Sequence, residues 1–228
     1  DSEAAAKHLK TVNRKVATYG IDNSTADYRA VDIAYSSQET AFYLDKGNGE
    51  KSLFATHILG RGNILNILAA LAIADKMGVS LEAQRRAVRQ IEQIEHRLSI
   101  KRTAGGITII DDAYNSNPAG AKMALEVLRD FNTEGRKIVV TPGFVEMGDS
   151  QYRNNKELGG NIASAADIAI VVNRVNREAI VAGLSEAGFD AKNIVQTDSF
   201  AEASAYLATT MRAGDVILYE NDLPDSFK

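Results

Sequence analysis

Hydrophobic and polar positions fall into two regimes along the chain. Up to about residue 60 the apolar positions come in short, β-branched and aromatic runs, the mark of strands. These are residues 15–19, 28–33, 40–44 and 52–56. The last two flank Lys46-Gly47-Asn48-Gly49, which predicts a hairpin closed by an Asn-Gly turn. The pattern then turns helical. Residues 63–77 are apolar, Ala-rich and stopped by Gly78, so they predict a buried helix. Ser80 offers a cap for a second helix from Leu81 to about Ile94.

From Ile107 onward, strand and helix patterns alternate. Strands are expected at 107–110, 137–141, 168–172, 193–196 and 215–219. Helices are expected at 118–131, 151–165, 177–187 and 200–211, the first with Pro118 at its opening position and Asn117 as cap. Continuously apolar strands separated by helices imply an α/β domain: a mostly parallel sheet with helices on both faces. The domain boundary is placed between residues 99 and 100. The first part, 1–99, reads as a lobe of short strands and two helices.

Composition narrows the function. Of 228 residues, 45% are hydrophobic and 25% charged, with 26 basic against 30 acidic side chains and a formal charge of −4. No basic block occurs, which argues against nucleic acid or an anionic membrane as partner. There is no cysteine, and His8, His57 and His96 lie far apart, so no zinc site is expected. The longest apolar run, 67–74, is far short of the roughly 18 residues of a membrane span. A cytoplasmic protein is expected. The chain opens with Asp1 rather than Met, and is read as a piece of something longer.

Ligands of an open parallel sheet bind beyond the carboxyl ends of its strands. Here those ends run into polar segments: 111–118, 141–148, Asn173-Arg174 and Glu220-Asn221-Asp222. Several on one rim favour a site there. Three other motifs fail. Gly47-Asn48-Gly49-Glu50-Lys51-Ser52 places Glu50 before the lysine and a strand after it, so it is not a phosphate loop. Gly60-Arg61-Gly62 is followed by Leu65 where a dinucleotide fingerprint wants a third glycine. Asp111-Asp112 lacks the further carboxylate of a phospho-accepting site, with Ala113 and Asn173 in its place.

Three stretches, in order, resemble the Mur ligase family. Gly60-Arg61-Gly62-Asn63-Ile64-Leu65-Asn66-Ile67-Leu68-Ala69-Ala70 is similar to its G-x-H-N-x-x-N-x-x-A-A motif. Glu95-His96-Arg97-Leu98 resembles the H/G-R segment at the family's domain junction. Asp111-Asp112-Ala113-Tyr114-Asn115-Ser116-Asn117-Pro118 resembles the D-D-[SA]-Y-N-[AS]-N-P signature of its MurF branch. The resemblance spans essentially the whole chain. It implies a Rossmann-like C-terminal domain preceded by the C-terminal part of a central ATPase domain. It also implies a ligase of peptidoglycan precursor synthesis that joins a carboxylate to an amine through an acyl phosphate, using ATP and Mg2+. For the MurF branch the substrates are UDP-N-acetylmuramoyl-tripeptide and D-alanyl-D-alanine.

The same resemblance assigns residues. Asn63 and Asn66 would meet the adenine side of ATP, Arg97 would reach the phosphates as the catalytic cation, and Asp112 would bind the ribose hydroxyls. Tyr114, Asn115 and Asn117 would line the pocket of the incoming amine. By themselves the residues leave other roles open: Asn63 and Asn117 as helix caps, Arg97 in a surface ion pair. Gly62 stands where the family has His, and Glu220-Asn221-Asp222 replaces its Lys-Gly-Ser. The phosphate loop, the magnesium ligands, the carbamylated lysine and the UDP-sugar domain are expected to lie before residue 1, so the isolated chain is expected to be inactive. The alternatives are a Mur-like ligase for another amino acid or polymer, and a non-catalytic Rossmann-like binding module.

Overall fold

The computed structural model describes residues 7–8, 16–114 and 116–223. It divides into two compact units, Asp1–Glu92 and Gln93–Lys228. Residues 93–99, on the first side of the division expected from sequence, belong to the second unit. Gln93 Oε1 accepts the Ile100 N–H at 2.6 Å, which ties this segment to the edge of the second unit's sheet.

In the first unit β1 (Tyr19–Gly20), β2 (Tyr28–Tyr35), β3 (Thr40–Asp45) and β4 (Lys51–Thr56) form one sheet in that order. β1 runs parallel to β2 and the other pairs are antiparallel. Alternation buries Phe42 and Phe54, which face each other across the β3–β4 ladder. Their rings stack at 5.6 Å, a cross-strand aromatic pair. α1 (Arg61–Lys76) and α2 (Leu81–Arg89) follow, and α1 buries Ile64, Ile67, Leu68 and Leu71.

Three local expectations need correction here. The strand at 15–19 is nearly lost: Lys15 lies outside the described residues, and of the rest only Tyr19 enters a strand. The Asp27 carboxylate takes the Thr18 N–H at 2.7 Å, a side chain competing with the ladder for a backbone donor. The hairpin forms, but its loop is the five residues between the paired Asp45 and Lys51, not a two-residue Asn-Gly turn. Gly47 and Gly49 both sit at positive φ, 72° and 85°, where a side chain would be strained. Helix α2 is capped by Ser80, whose Oγ accepts from Ala83 N at 3.3 Å, but it stops at Arg89 rather than near Ile94. The Gln90 N–H is shared between the Arg86 and Ala87 carbonyls, a tightened last turn.

The second unit holds β5 (Ser99–Arg102), β6 (Thr108–Asp112), α3 (Pro118–Asp130), β7 (Lys137–Thr141), α4 (Gln151–Ala163), β8 (Ile168–Val172), α5 (Arg177–Glu186), β9 (Ile194–Thr197), α6 (Phe200–Thr210) and β10 (Val216–Glu220). The sheet order is β5-β6-β10-β7-β8-β9. All neighbours are parallel except β5, which pairs antiparallel with β6. This edge strand was not foreseen; with Lys101 and Arg102 exposed it has no hydrophobic period to reveal it. Alternate residues of the central strands, among them Ile138, Val140, Ile170 and Ile217, pack with Ala203 and Leu207 of α6. Their neighbours in sequence point to the other face, where α3 packs on β10 and α4 and α5 pack on each other. Because the strands are parallel, the ends of β6, β7, β8 and β10 reach one rim.

Candidate functional site

The rim of the second unit is organised around the turn His96-Arg97-Leu98. His96 and Leu98 both occupy the left-handed region, at φ 59° and 50°. A leucine there is strained by roughly 1–2 kcal/mol, so the surroundings must hold it. They do so through the end of β6. The Leu98 N–H donates to Asp112 Oδ1 at 3.0 Å, and His96 Nδ1 lies 2.9 Å from Asp111 Oδ2. The Tyr114 N–H donates to the His96 carbonyl at 3.3 Å. The turn is thereby clasped to 111–114, and Arg97 between its two strained residues is thrown over the Tyr114 ring, 5.1 Å from its centroid. Tyr114 is more than half exposed. The result is a guanidinium stacked on an aromatic face at the solvent edge.

Asp112 is half-buried. Burial is the largest influence on its carboxyl and lifts it above the ordinary value; Asp111 adds to the lift, and the Leu98 N–H and Arg97 oppose it. Among the described residues its second oxygen carries no hydrogen bond, so one acceptor remains for a ligand. Asn117 is the N-cap of α3, its Oδ1 accepting from Ala119 N at 3.1 Å and Gly120 N at 3.0 Å. A ligand can therefore meet only its amide nitrogen. Asn115 lies outside the described residues.

Behind this edge is a layer built from rim segments that the sequence named, 141–148 and Glu220-Asn221-Asp222, but to which it gave no roles. Glu220, the last residue of β10, is fully buried. Its Oε1 accepts the Ser116 hydroxyl, and its Oε2 has no partner among the described residues. Burial pushes its carboxyl up to about 8; the Ser116 hydroxyl opposes the shift and Asp112 adds to it. Asn221 follows at φ 67°. It accepts the Ser116 N–H at 3.3 Å and donates through Nδ2 to the Gly143 carbonyl at 2.7 Å. Gly143, at φ 77°, has no room for a side chain: a Cβ would lie 2.2 Å from Asn155 Oδ1. That buried asparagine takes the Phe144 N–H at 2.8 Å and donates to the Phe144 carbonyl at 2.9 Å, while Asn176 donates to the Pro142 carbonyl at 3.0 Å. The loop after β7 is held by side chains from both helices that follow it. What the sequence left unstated is the burial of Glu220, and its signal is the period of two: Glu220 shares a face of β10 with Val216 and Leu218.

A cavity of about 670 Å³ opens on the other side of the rim, lined by Phe200, Tyr219, Val172, Asp111 and Asn173 among others. Asp198 at its border is engaged by Arg174 and by Arg177, the latter at 2.8 Å. Hydrogen bonds from these two arginines hold its carboxyl well below the usual range. Among the described residues no group of three or more His, Asp or Glu is placed to hold a metal ion. Nor is any described helix long and apolar enough to cross a membrane.

The remaining sequence-predicted residues lie in the first unit. Asn63 is half-buried near the start of α1 and donates to the Leu59 carbonyl at 2.7 Å. The cap position is Gly60, with no side-chain bond, so the cap role is not the one Asn63 takes. Asn66, one turn on, is exposed.

Comparison with known proteins agrees with this anatomy. The family described as "Mur ligase, glutamate ligase domain" matches residues 96–219, and "Mur ligase middle domain" matches residues 1–74. The chain is 30% identical over 146 residues to UDP-N-acetylmuramoyl-tripeptide–D-alanyl-D-alanine ligase of Bacillus subtilis (strain 168), covering 64% of this chain and 31% of that protein. It is 36% identical over 117 residues to UDP-N-acetylmuramate–L-alanine ligase of Anaeromyxobacter sp. (strain Fw109-5), covering 51% and 25%. A crystal structure of MurF ligase from Thermotoga maritima in complex with ADP shares the fold at a TM-score of 0.76 and 19% identity, covering 96% of this chain and 48% of that one. The chain thus spans less than half the length of these relatives.

Proposed function

Since the chain belongs to the Mur ligase family, we propose that it is part of an ATP-dependent amide ligase of peptidoglycan precursor synthesis that adds D-alanyl-D-alanine to UDP-N-acetylmuramoyl-tripeptide. The observation that carries this reading is the clasp of the His96-Arg97-Leu98 turn onto 111–114, with one guanidinium and one free carboxylate oxygen facing the rim. ATP supplies the phosphoryl group that activates the acceptor carboxylate. The roles of this chain's residues follow from their chemistry. Arg97, fixed by the strained turn and the Tyr114 ring, offers a permanent positive charge to phosphate oxygens. Asp112 accepts from ribose hydroxyls with the oxygen that Leu98 does not use. Asn66 and the carbonyl of Asn63 are available to the adenine edge. Tyr114, Asn115 and Asn117 flank the incoming amine. Magnesium, the phosphate loop and the UDP-sugar are handled by parts of the enzyme outside these residues, and the reaction takes place in the cytoplasm.

The test is a phosphate-release assay on the full-length protein, with UDP-N-acetylmuramoyl-tripeptide offered D-alanyl-D-alanine and UDP-N-acetylmuramate offered L-alanine. Turnover with the dipeptide alone supports the reading; turnover with L-alanine alone moves the enzyme to the other branch. Replacing Arg97 by Ala should lower turnover by about two orders of magnitude, the scale of one lost electrostatic stabiliser. Wild-type turnover in that variant would remove Arg97 from the mechanism. The 228-residue chain alone should neither hydrolyse ATP nor form product.

A further inference from the structure

Asp111 stands near the end of a strand that is held on both sides. β6 lies between β5 and β10, and Asp111 is in register with Ser99 of the one and Tyr219 of the other. Its side chain is largely enclosed, and each carboxylate oxygen is engaged. Oδ1 accepts the Ala113 N–H at 3.3 Å, and Oδ2 lies 2.9 Å from His96 Nδ1. A carboxylate only accepts, so this contact holds the imidazole with a proton on Nδ1. Asp112, the next residue, turns to the other face of the sheet. It spends one oxygen on the Leu98 N–H at 3.0 Å, and the other is the acceptor left for a ligand.

The turn that Asp111 faces would not keep its shape alone. His96 and Leu98 both have positive φ, a region that such residues leave when nothing holds them. Three bonds hold them: the Leu98 N–H to Asp112, the Tyr114 N–H to the His96 carbonyl, and the His96 ring to Asp111. These bonds differ in what else they serve. The first uses the carboxylate that also faces the ligand. The second comes from the loop after β6. Only the third ends on a side chain that is anchored in the sheet and whose two oxygens are both already engaged. Arg97 stands between the two strained residues. Among the described residues its guanidinium forms no salt bridge, and it rests on the Tyr114 ring, 5.1 Å from the centroid. Its direction is therefore set by the turn and the ring.

We propose that Asp111 is a positioning residue for the ligation: through His96 it holds the strained turn and so keeps the Arg97 guanidinium aimed at the rim, while Asp112 is left to meet the nucleotide. The two neighbouring carboxylates thus divide the work, one holding the cation's support and the other binding. In its functional meaning this rests on the ligase reading, because that reading gives Arg97 the phosphate oxygens. The holding of Arg97 by Asp111 does not depend on it.

The Nε–Hε resonance of Arg97, recorded by NMR on the 228-residue chain in cold, mildly acidic buffer and assigned by its loss in Arg97→Ala, tests the holding directly. The Tyr114 ring current shifts it, and its position in Tyr114→Leu marks the unstacked guanidinium. Asp111→Ala and His96→Gly cut the same contact from its two sides, and both should move the resonance most of the way to that position. Glycine suits the φ of 59° at residue 96, so the second variant adds no strain, and it decides the matter if Asp111→Ala does not fold. A resonance that keeps its wild-type position in either folded variant overturns the proposal, as does one that Tyr114→Leu leaves unmoved. In the full-length enzyme Asp111→Ala should lower kcat about tenfold, the scale of one lost hydrogen bond to a charged group, with the KM for the dipeptide unchanged. Adding it to Arg97→Ala should lower kcat by no more than about twofold further, because both changes remove one function. Additive losses, or an effect confined to that KM, count against Asp111 acting through Arg97. Wild-type turnover in Arg97→Ala would sink the role given to Arg97 in the ligase reading, and the resonance would still decide what Asp111 holds.

Discussion

Two buried carboxylates mark the two ends of β10, and they live in opposite environments. Asp215, just before the strand, is saturated. Arg136 reaches it through Nε at 3.1 Å and Nη2 at 2.6 Å, and the backbone N–H groups of Arg136 and Arg212 donate at 3.1 and 2.8 Å. Burial alone would raise its carboxyl, but Arg136 and the two backbone donors outweigh it and hold the group below its ordinary value. Glu220, at the other end, has among the described residues one neutral donor, one orphan oxygen and an acidic neighbour, and its carboxyl rises to about 8. The same strand thus carries a completed charge at the edge that serves stability and an uncompleted one at the edge where ligands of parallel sheets bind. Local rules are kept where only folding is at stake and broken beside the candidate site.

The strongest way to break the comparison is at Asp215. Asp215→Ala leaves the Arg136 guanidinium and two backbone donors without their acceptor, and should destabilise the second unit by about 3–5 kcal/mol in urea unfolding. The stabilisation from Asp215 is present above its unfolded value near 3.8 and is lost as the pH falls through the lower folded value. The gap between wild type and variant should therefore narrow in acid.

At the other end the sign reverses. Glu220 is neutral in both states below its ordinary value of 4.5. Above it the unfolded chain ionises freely while the folded chain resists, so stability drains away from pH 4.5 up to the folded value near 8 and then levels. Glu220→Gln escapes that loss. It should be more stable than the wild type by an amount that grows across this window and reaches on the order of 3 kcal/mol at pH 7. Unfolding curves that differ equally at pH 5 and pH 8 would mean that the carboxyl is solvated. The smallest effect is expected at Asn117. Removing the α3 cap with Asn117→Ala should cost about 1 kcal/mol, and wild-type stability in that variant would show that water replaces the cap.

Much of the second unit was legible because its strands are uniformly apolar and its helices carry explicit punctuation. The β7 and β8 boundaries coincide with the expected ones, and Pro118 with Asn117 opens α3 where expected. The first unit was harder. Short strands are decided by competing local bonds, as when Asp27 takes the donor of Thr18, and no hydrophobic period records that competition. The edge strand β5 was missed for a related reason: its hydrogen bonds are backbone bonds to β6, indifferent to its polar side chains. At the rim, the 111–118 segment announced itself through its residue types. The positive φ of His96 and Leu98, which aims Arg97, leaves no trace in composition, since leucine is among the residues least expected there.

What the sequence determined by itself was the class of the second unit, its parallel order of apolar strands and its polar rim, because hydrophobic periodicity and caps act over one or two turns of chain. What only the tertiary structure decided was how distant groups share protons and donors. Glu220 and Ser116 are more than a hundred positions apart, and nothing local to either says that one oxygen will find a hydroxyl and the other no partner among the described residues. The charge state of such a group depends on everything enclosed with it, and that is settled when the strands assemble.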